Sequence, residues 1–118
     1  MIVTVSAGSA TPPFEQIRVQ VRDAVASGAL AAGAKLPTVR RLADDLGLAV
    51  NTVARAYREL ETDGIIETRG RNGSFVRAQG DASERAAQEA ARTYVNVVRR
   101  LGINDATARD YLTAALRA

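Results

Sequence analysis

Apolar residues recur three and four positions apart along most of the chain, the spacing of helices that bury one face. In residues 14–28, FEQIRVQVRDAVASG, this puts Phe14, Ile17, Val21, Ala24 and Val25 on one stripe. Pro13 suits the first turn of that helix and Gly28 its end. A second, shorter stripe is Val39, Leu42, Ala43 and Leu46, with Thr38 as N-cap and Gly47 as a left-handed stop. A third is Val50, Val53, Ala54, Tyr57 and Leu60, ended by Asp63-Gly64. The period then shortens. Residues 65–68 and 74–77 read as two strands around the tip Arg69-Gly70-Arg71-Asn72-Gly73. Helical spacing returns in residues 81–101 with Ala87, Ala90, Ala91, Tyr94, Val98 and Leu101, flanked by Val95 and Val97 and stopped by Gly102. A last helix carries Ala108, Tyr111, Leu112, Ala115 and Leu116, with Asn104 as N-cap and Asp105 in its first turn. Residues 1–5 fit an edge strand or an ordered arm, and residues 7–13, rich in small residues and proline, form a linker.

A short helix, a glycine turn and a longer helix make a helix-turn-helix, whose second helix can enter the major groove of DNA. Its outward positions are Asn51, Thr52, Arg55 and Arg58, side chains able to bond base edges and phosphates. A basic hairpin directly behind it makes a winged helix. The hairpin tip offers Arg69 and Arg71 with little bulk, and Gly73 supplies a positive φ and close backbone approach. Phe75 is expected to pack beneath the hairpin. Lys35, the one lysine, and Thr38 flank a helix N-terminus, a combination that suits a phosphate. Arg58 fits either a phosphate contact or a local pairing with Glu61 or Thr62, while Arg18 and Arg22 read as solvated. The fold class expected is mostly α with a small β-hairpin. Residues 1–12 would be an arm or linker, 13–78 a winged helix-turn-helix, and 79–118 a helical appendage of two helices. Such short amphipathic helices cannot bury their faces alone, so they pack on the winged helix or on a second chain.

Residues 36–76 resemble the DNA-binding domain of the GntR family of bacterial transcription regulators. The resemblance rests on Leu36-Pro37, Arg40, Leu42-Ala43, Leu46-Gly47, Asn51-Thr52-Val53, Ala56-Tyr57, Leu60, Gly64, and Gly73 with Phe75-Val76. It implies a DNA contact for Arg40 and a very short strand near residues 30–35 pairing with the wing. The short tail is similar to the YtrA subfamily, which implies a helical dimerisation hairpin built from Ala87, Ala91, Tyr94, Val98, Leu101, Tyr111, Leu112 and Leu116. The turn departs from the pattern: relatives carry Ser or Asn at the place of Ala49, and Arg or Pro at that of Val50. Alanine is a poor N-cap and valine cannot bond a guanine, so base reading falls on Asn51, Thr52 and Arg55.

The bulk numbers narrow the function. The chain has 118 residues, a net charge of +3 and no cysteine or histidine, which removes disulfides, thiol chemistry and the commonest metal ligand and general base. No glycine-rich phosphate loop or catalytic carboxylate pair is present, so an enzyme is excluded and no cofactor is expected. No run approaches the roughly 18 apolar residues of a membrane span, and the N-terminus lacks a signal-peptide pattern, so a cytoplasmic protein is expected. The expectation is a regulator, acting as a repressor, that binds double-stranded DNA as a homodimer at an inverted repeat. The alternative is a winged-helix protein-interaction module. About 40 residues follow the wing, too few for a separate ligand-binding domain. They leave room for a small-molecule effector at the hairpin or the dimer seam, and no motif names one.

Overall fold

The structure is a computed structural model and describes residues 3–118. Local signals set most helix ends. Pro12 and Pro13 open α1 (Pro13–Ala26). The Thr38 side chain caps α2 (Val39–Leu46) by accepting from the Arg41 N–H at 3.1 Å. Gly47, at φ +66°, closes it in a left-handed cap, with Leu48 N–H reaching back to the Ala43 carbonyl at 2.9 Å. α3 (Val50–Thr62) starts at Ala49 with no side-chain cap, as its sequence foretells. It ends before Gly64, and Ile65 N–H returns to Leu60 O at 3.0 Å.

The wing is β1 (Ile66–Thr68) and β2 (Ser74–Val76), antiparallel, with Ile66 opposite Val76 and Glu67 opposite Phe75. A 3-10 turn over Gly70–Asn72 forms its tip. The expected third strand is reduced to one bridge, Lys35 to Phe75. Gly33 N–H to Val76 O, Val76 N–H to Ala34 O and Leu36 N–H to Ser74 O, at 2.8 to 2.9 Å, tie this segment to β2. α3 packs against both α1 and α2. The shared core is Ile17 and Val21 from α1, Leu36, Leu42 and Ala43 around α2, Val53, Ala56, Tyr57 and Leu60 from α3, and Ile65, Ile66 and Val76 from the wing. The Tyr57 hydroxyl crosses to donate to Pro37 O at 2.7 Å, and burial pushes that phenol well above its ordinary pKa.

Of the expected strand or arm at residues 1–5, residues 1 and 2 lie outside the described residues. The rest is an ordered arm held on α1 by two glutamines. Gln20 accepts from Thr4 N–H at 3.0 Å and donates to Thr4 O at 2.7 Å; Gln16 does the same for Ser6 at 2.8 and 3.1 Å.

α4 (Ala82–Arg100) opens on a capping box between Asp81 and Glu84, and Asn104 caps α5 (Asp105–Leu116). Val98 and Ala108 are buried where the two helices meet, and the Tyr94 hydroxyl donates to Ala108 O at 2.7 Å. This hairpin contributes nothing to the main core among the described residues. It joins the winged helix through polar contacts of Gln79 with Gln88 and Gly64, and through Arg92, whose stem lies against Gly33. The radius of gyration is 16.5 Å, where a compact chain of this length would have about 13 Å, so the hairpin projects.

Candidate nucleic-acid interface

α3 buries Val53, Ala56, Tyr57 and Leu60 and turns Asn51, Arg55 and Arg58 outward, with Thr52 half-buried beside them. Two expectations about this helix need correction. Ala56 rather than Ala54 fills the core, because the i, i+3, i+4, i+7 stripe starts at Val53. Val50 continues that stripe backward, yet it is the first residue of the helix, has no preceding turn beside it, and stays 46% exposed. The start of the helix facing solvent is therefore Val50, Asn51 and Thr52: one apolar contact surface beside two polar ones.

Arg55 has partners. Its guanidinium carbon lies 3.7 Å from the centre of the Phe14 ring, and its Nε is 3.6 Å from the Glu59 carboxylate one turn on. Glu59 is also 3.9 Å from Arg18. Arg18 is not solvated as expected. It grips Glu15 by donating from Nε and Nη2 and sits 3.7 Å from Asp63, so it bridges α1 to the end of α3. The hydrogen bond from Arg18 holds the Glu15 carboxyl below its ordinary pKa. Arg22 is exposed and, among the described residues, pairs only with its neighbour Asp23.

At the wing, strand alternation settles where Phe75 goes. Ile66 and Val76 face the core as a cross-strand pair, so Phe75 and Glu67 lie on the opposite face. Phe75 does not pack beneath the hairpin; it is half-buried and carries cations. The Arg69 guanidinium is 4.4 Å from its ring centre and the Lys35 ammonium 6.0 Å. Arg69 also pairs with Glu67 at 2.6 Å. Gly73, at φ +105°, lets Lys35 lie along the hairpin: a Cβ there would stand 3.1 Å from the lysine Cε. Lys35, Arg69, Gly73 and Phe75 thus form one group. Thr38 stands at the head of α2, its oxygen accepting from Arg41 while its O–H stays free to donate. Arg40, Arg58 and Arg71 are exposed and have no ion-pair partner among the described residues. Arg58 does not pair with Glu61; its carbonyl accepts from the Thr62 hydroxyl at 2.9 Å.

Residues 13–76, from the start of α1 to the end of β2, match the family described as Bacterial regulatory proteins, gntR family. The chain belongs to the gntR family. It is 53% identical over 111 residues to the HTH-type transcriptional regulator Rv1152 of Mycobacterium tuberculosis, a match covering 94% of this chain and 89% of that protein. It is 40% identical over 75 residues to the HTH-type transcriptional repressor YtrA of Bacillus subtilis, covering 64% of this chain and 58% of that one. Among solved structures, YtrA from Sulfolobus acidocaldarius, a GntR-family transcription factor, superposes with a TM-score of 0.63 at 30% identity, over 86% of this chain and 99% of that one.

As a gntR-family protein this is a regulator and not an enzyme. The winged helix and the YtrA likeness read from the sequence both stand. The sequence missed the residues that hold the cations. Phe14 was assigned to the inner stripe, and nothing local shows a ring shared with Arg55, forty-one positions away in the chain. The place of Phe75 was accessible: once Val76 pairs with Ile66, its neighbour must face the other way.

Proposed function

We propose that this gntR-family protein is a sequence-specific transcription regulator, acting as a repressor in the cytoplasm, that binds an inverted-repeat operator as a homodimer. The observation that carries the DNA-binding part is the exposed start of α3 with Asn51, Thr52 and Arg55, flanked by the unpaired Arg40 and by the Lys35, Arg69 and Gly73 group of the wing. Asn51 can pair bidentately with adenine, and the Thr52 and Val50 methyl groups can meet a thymine methyl. Thr38, Arg40, Lys35 and the wing arginines Arg69 and Arg71 supply phosphate contacts, the salt-sensitive part of affinity.

Dimerisation is supported by where the exposed apolar surface lies. Among the described residues, apart from Val50, the large exposed hydrophobic residues are Leu101, Tyr111, Leu112 and Leu116, all on the C-terminal hairpin, with exposures from 50% to 79%. Ala87 and Ala91 are exposed on α4 nearby, small enough for another helix to approach closely. Tyr94 and Val98 serve the seam between α4 and α5 and shape this surface from beneath. Two recognition helices on one dimer would read half-sites about 10 bp apart, or a multiple of that. The repressor assignment follows the name of the B. subtilis relative.

The test is binding of the purified protein to a duplex from its own promoter region and to a scrambled duplex across a salt series. Preference for the promoter duplex that persists at about 150 mM salt is expected. Arg40→Ala should weaken binding to both and lower the log–log salt slope by about one. An unchanged slope would remove Arg40 from the phosphate contacts, and no binding of the unaltered protein to either duplex would overturn the DNA reading.

A further inference from the structure

Arg55 is the one cation of the recognition helix that the fold holds on two sides. The Phe14 ring lies under its plane at 3.7 Å, and Glu59 stands at its Nε edge, 3.6 Å away. Glu59 is in turn steered by Arg18, which α1 anchors through Glu15. The direction of Arg55 is therefore set by α1 and not by its own rotamers. That direction matters. Arg55 stands one turn along α3 from Asn51 and Thr52, which would meet bases at the helix start. It leans toward α1, at the flank of the helix, where a groove wall and its phosphates would stand. A guanidinium stacked on a ring keeps its outer N–H edge free for a bidentate contact.

We propose that Phe14 is a positioning residue for DNA binding: it holds the Arg55 guanidinium as a fixed plane that grips a backbone phosphate rather than a base. This rests on the DNA-binding reading above. Arg55 then contributes affinity without sequence preference, and base reading contracts to the start of α3. Fixing the plane beforehand removes part of the side-chain entropy that contact would otherwise consume.

The experiment is a double-mutant cycle on the full chain, with promoter and scrambled duplexes titrated across a salt series. Arg55→Ala should weaken both duplexes alike and lower the salt slope by about one. Phe14→Leu should weaken both by roughly threefold, and this loss should vanish when Arg55 is already alanine. Phe14→Tyr, which keeps a ring, should restore binding. Arg55→Lys keeps the charge, sits on the surface and removes the plane, so it should show the same loss as Phe14→Leu. An equal Phe14→Leu loss in both backgrounds would mean that Phe14 acts through helix packing and would overturn the proposal. So would an Arg55→Lys protein that binds like the unaltered one, or an Arg55→Ala loss confined to the promoter duplex. If the unaltered protein binds neither duplex, the DNA reading fails first and this inference with it. An uncoupled pair in a protein that does bind sinks the inference alone.

Discussion

The winged helix and the C-terminal hairpin are both helical and amphipathic, yet they are finished to different degrees. In the first, three helices and a two-stranded sheet close around Ile17, Val53, Leu60, Ile66 and Val76, each 1% exposed or less. In the second, Val98 and Ala108 are the only buried residues among those described, and a groove of about 560 Å³ runs beside Ala87, Tyr94, Val98 and Leu112. Four large apolar side chains stand in solvent there. Three elements meeting at angles enclose a volume, whereas two helices side by side share one seam and leave their outer faces uncovered. The difference separates a part that closes its own core from a part that leaves apolar faces uncovered, which the proposed dimer would use.

The strongest way to break that contrast is on the hairpin. Leu112→Glu together with Leu116→Glu should leave the winged helix folded and convert the proposed dimer to monomer in sedimentation equilibrium. Affinity for an inverted repeat should then fall by about 10² or more, because the second half-site no longer binds intramolecularly. An unaltered protein that is already monomeric at micromolar concentration would refute association. On the other side of the comparison, Leu60→Ala should destabilise the winged helix by about 2–5 kcal/mol in denaturant titration, since Leu60 is fully buried where α3 meets its neighbours. A loss below 1 kcal/mol would mean the core is looser than its burial indicates. The smallest effect sharpens the contrast. Ala49→Ser should add about 1 kcal/mol by capping α3, seen as a higher denaturant midpoint at unchanged slope. The gain should be the same in the Leu112→Glu, Leu116→Glu protein if the two parts fold independently.

The sequence made legible what local chemistry decides. Thr38, Gly47 and Asn104 mark helix ends through bonds to groups within five residues, so their roles survive into the structure unchanged. The hairpin followed from a change of period between Gly64 and Val76. What escaped depends on neighbours far along the chain. Arg18 finds Glu59 and Asp63 only because α1 and α3 pack together. Arg55 finds Phe14 for the same reason. Each of these cations looked solvated or free when read on its own helix. The contact roles proposed for Lys35, Asn51, Thr52 and Arg71 depend on a duplex, and the binding experiments test them.

Gly33 gives the two parts a mechanical relationship. The Arg92 stem packs against it, so close that a Cβ would stand 2.8 Å from Cγ, and this ties the middle of α4 to the winged helix. α4 has 19 residues and is a rod about 28 Å long. A tilt of about 10° about Arg92, roughly 12 Å from the Arg100 end, swings that end by about 2 Å, more than half a base-pair step of about 3.4 Å. In the proposed dimer this one glycine would be a pivot of a pair of calipers, and the loop that holds it would bear on the span of DNA the two heads straddle.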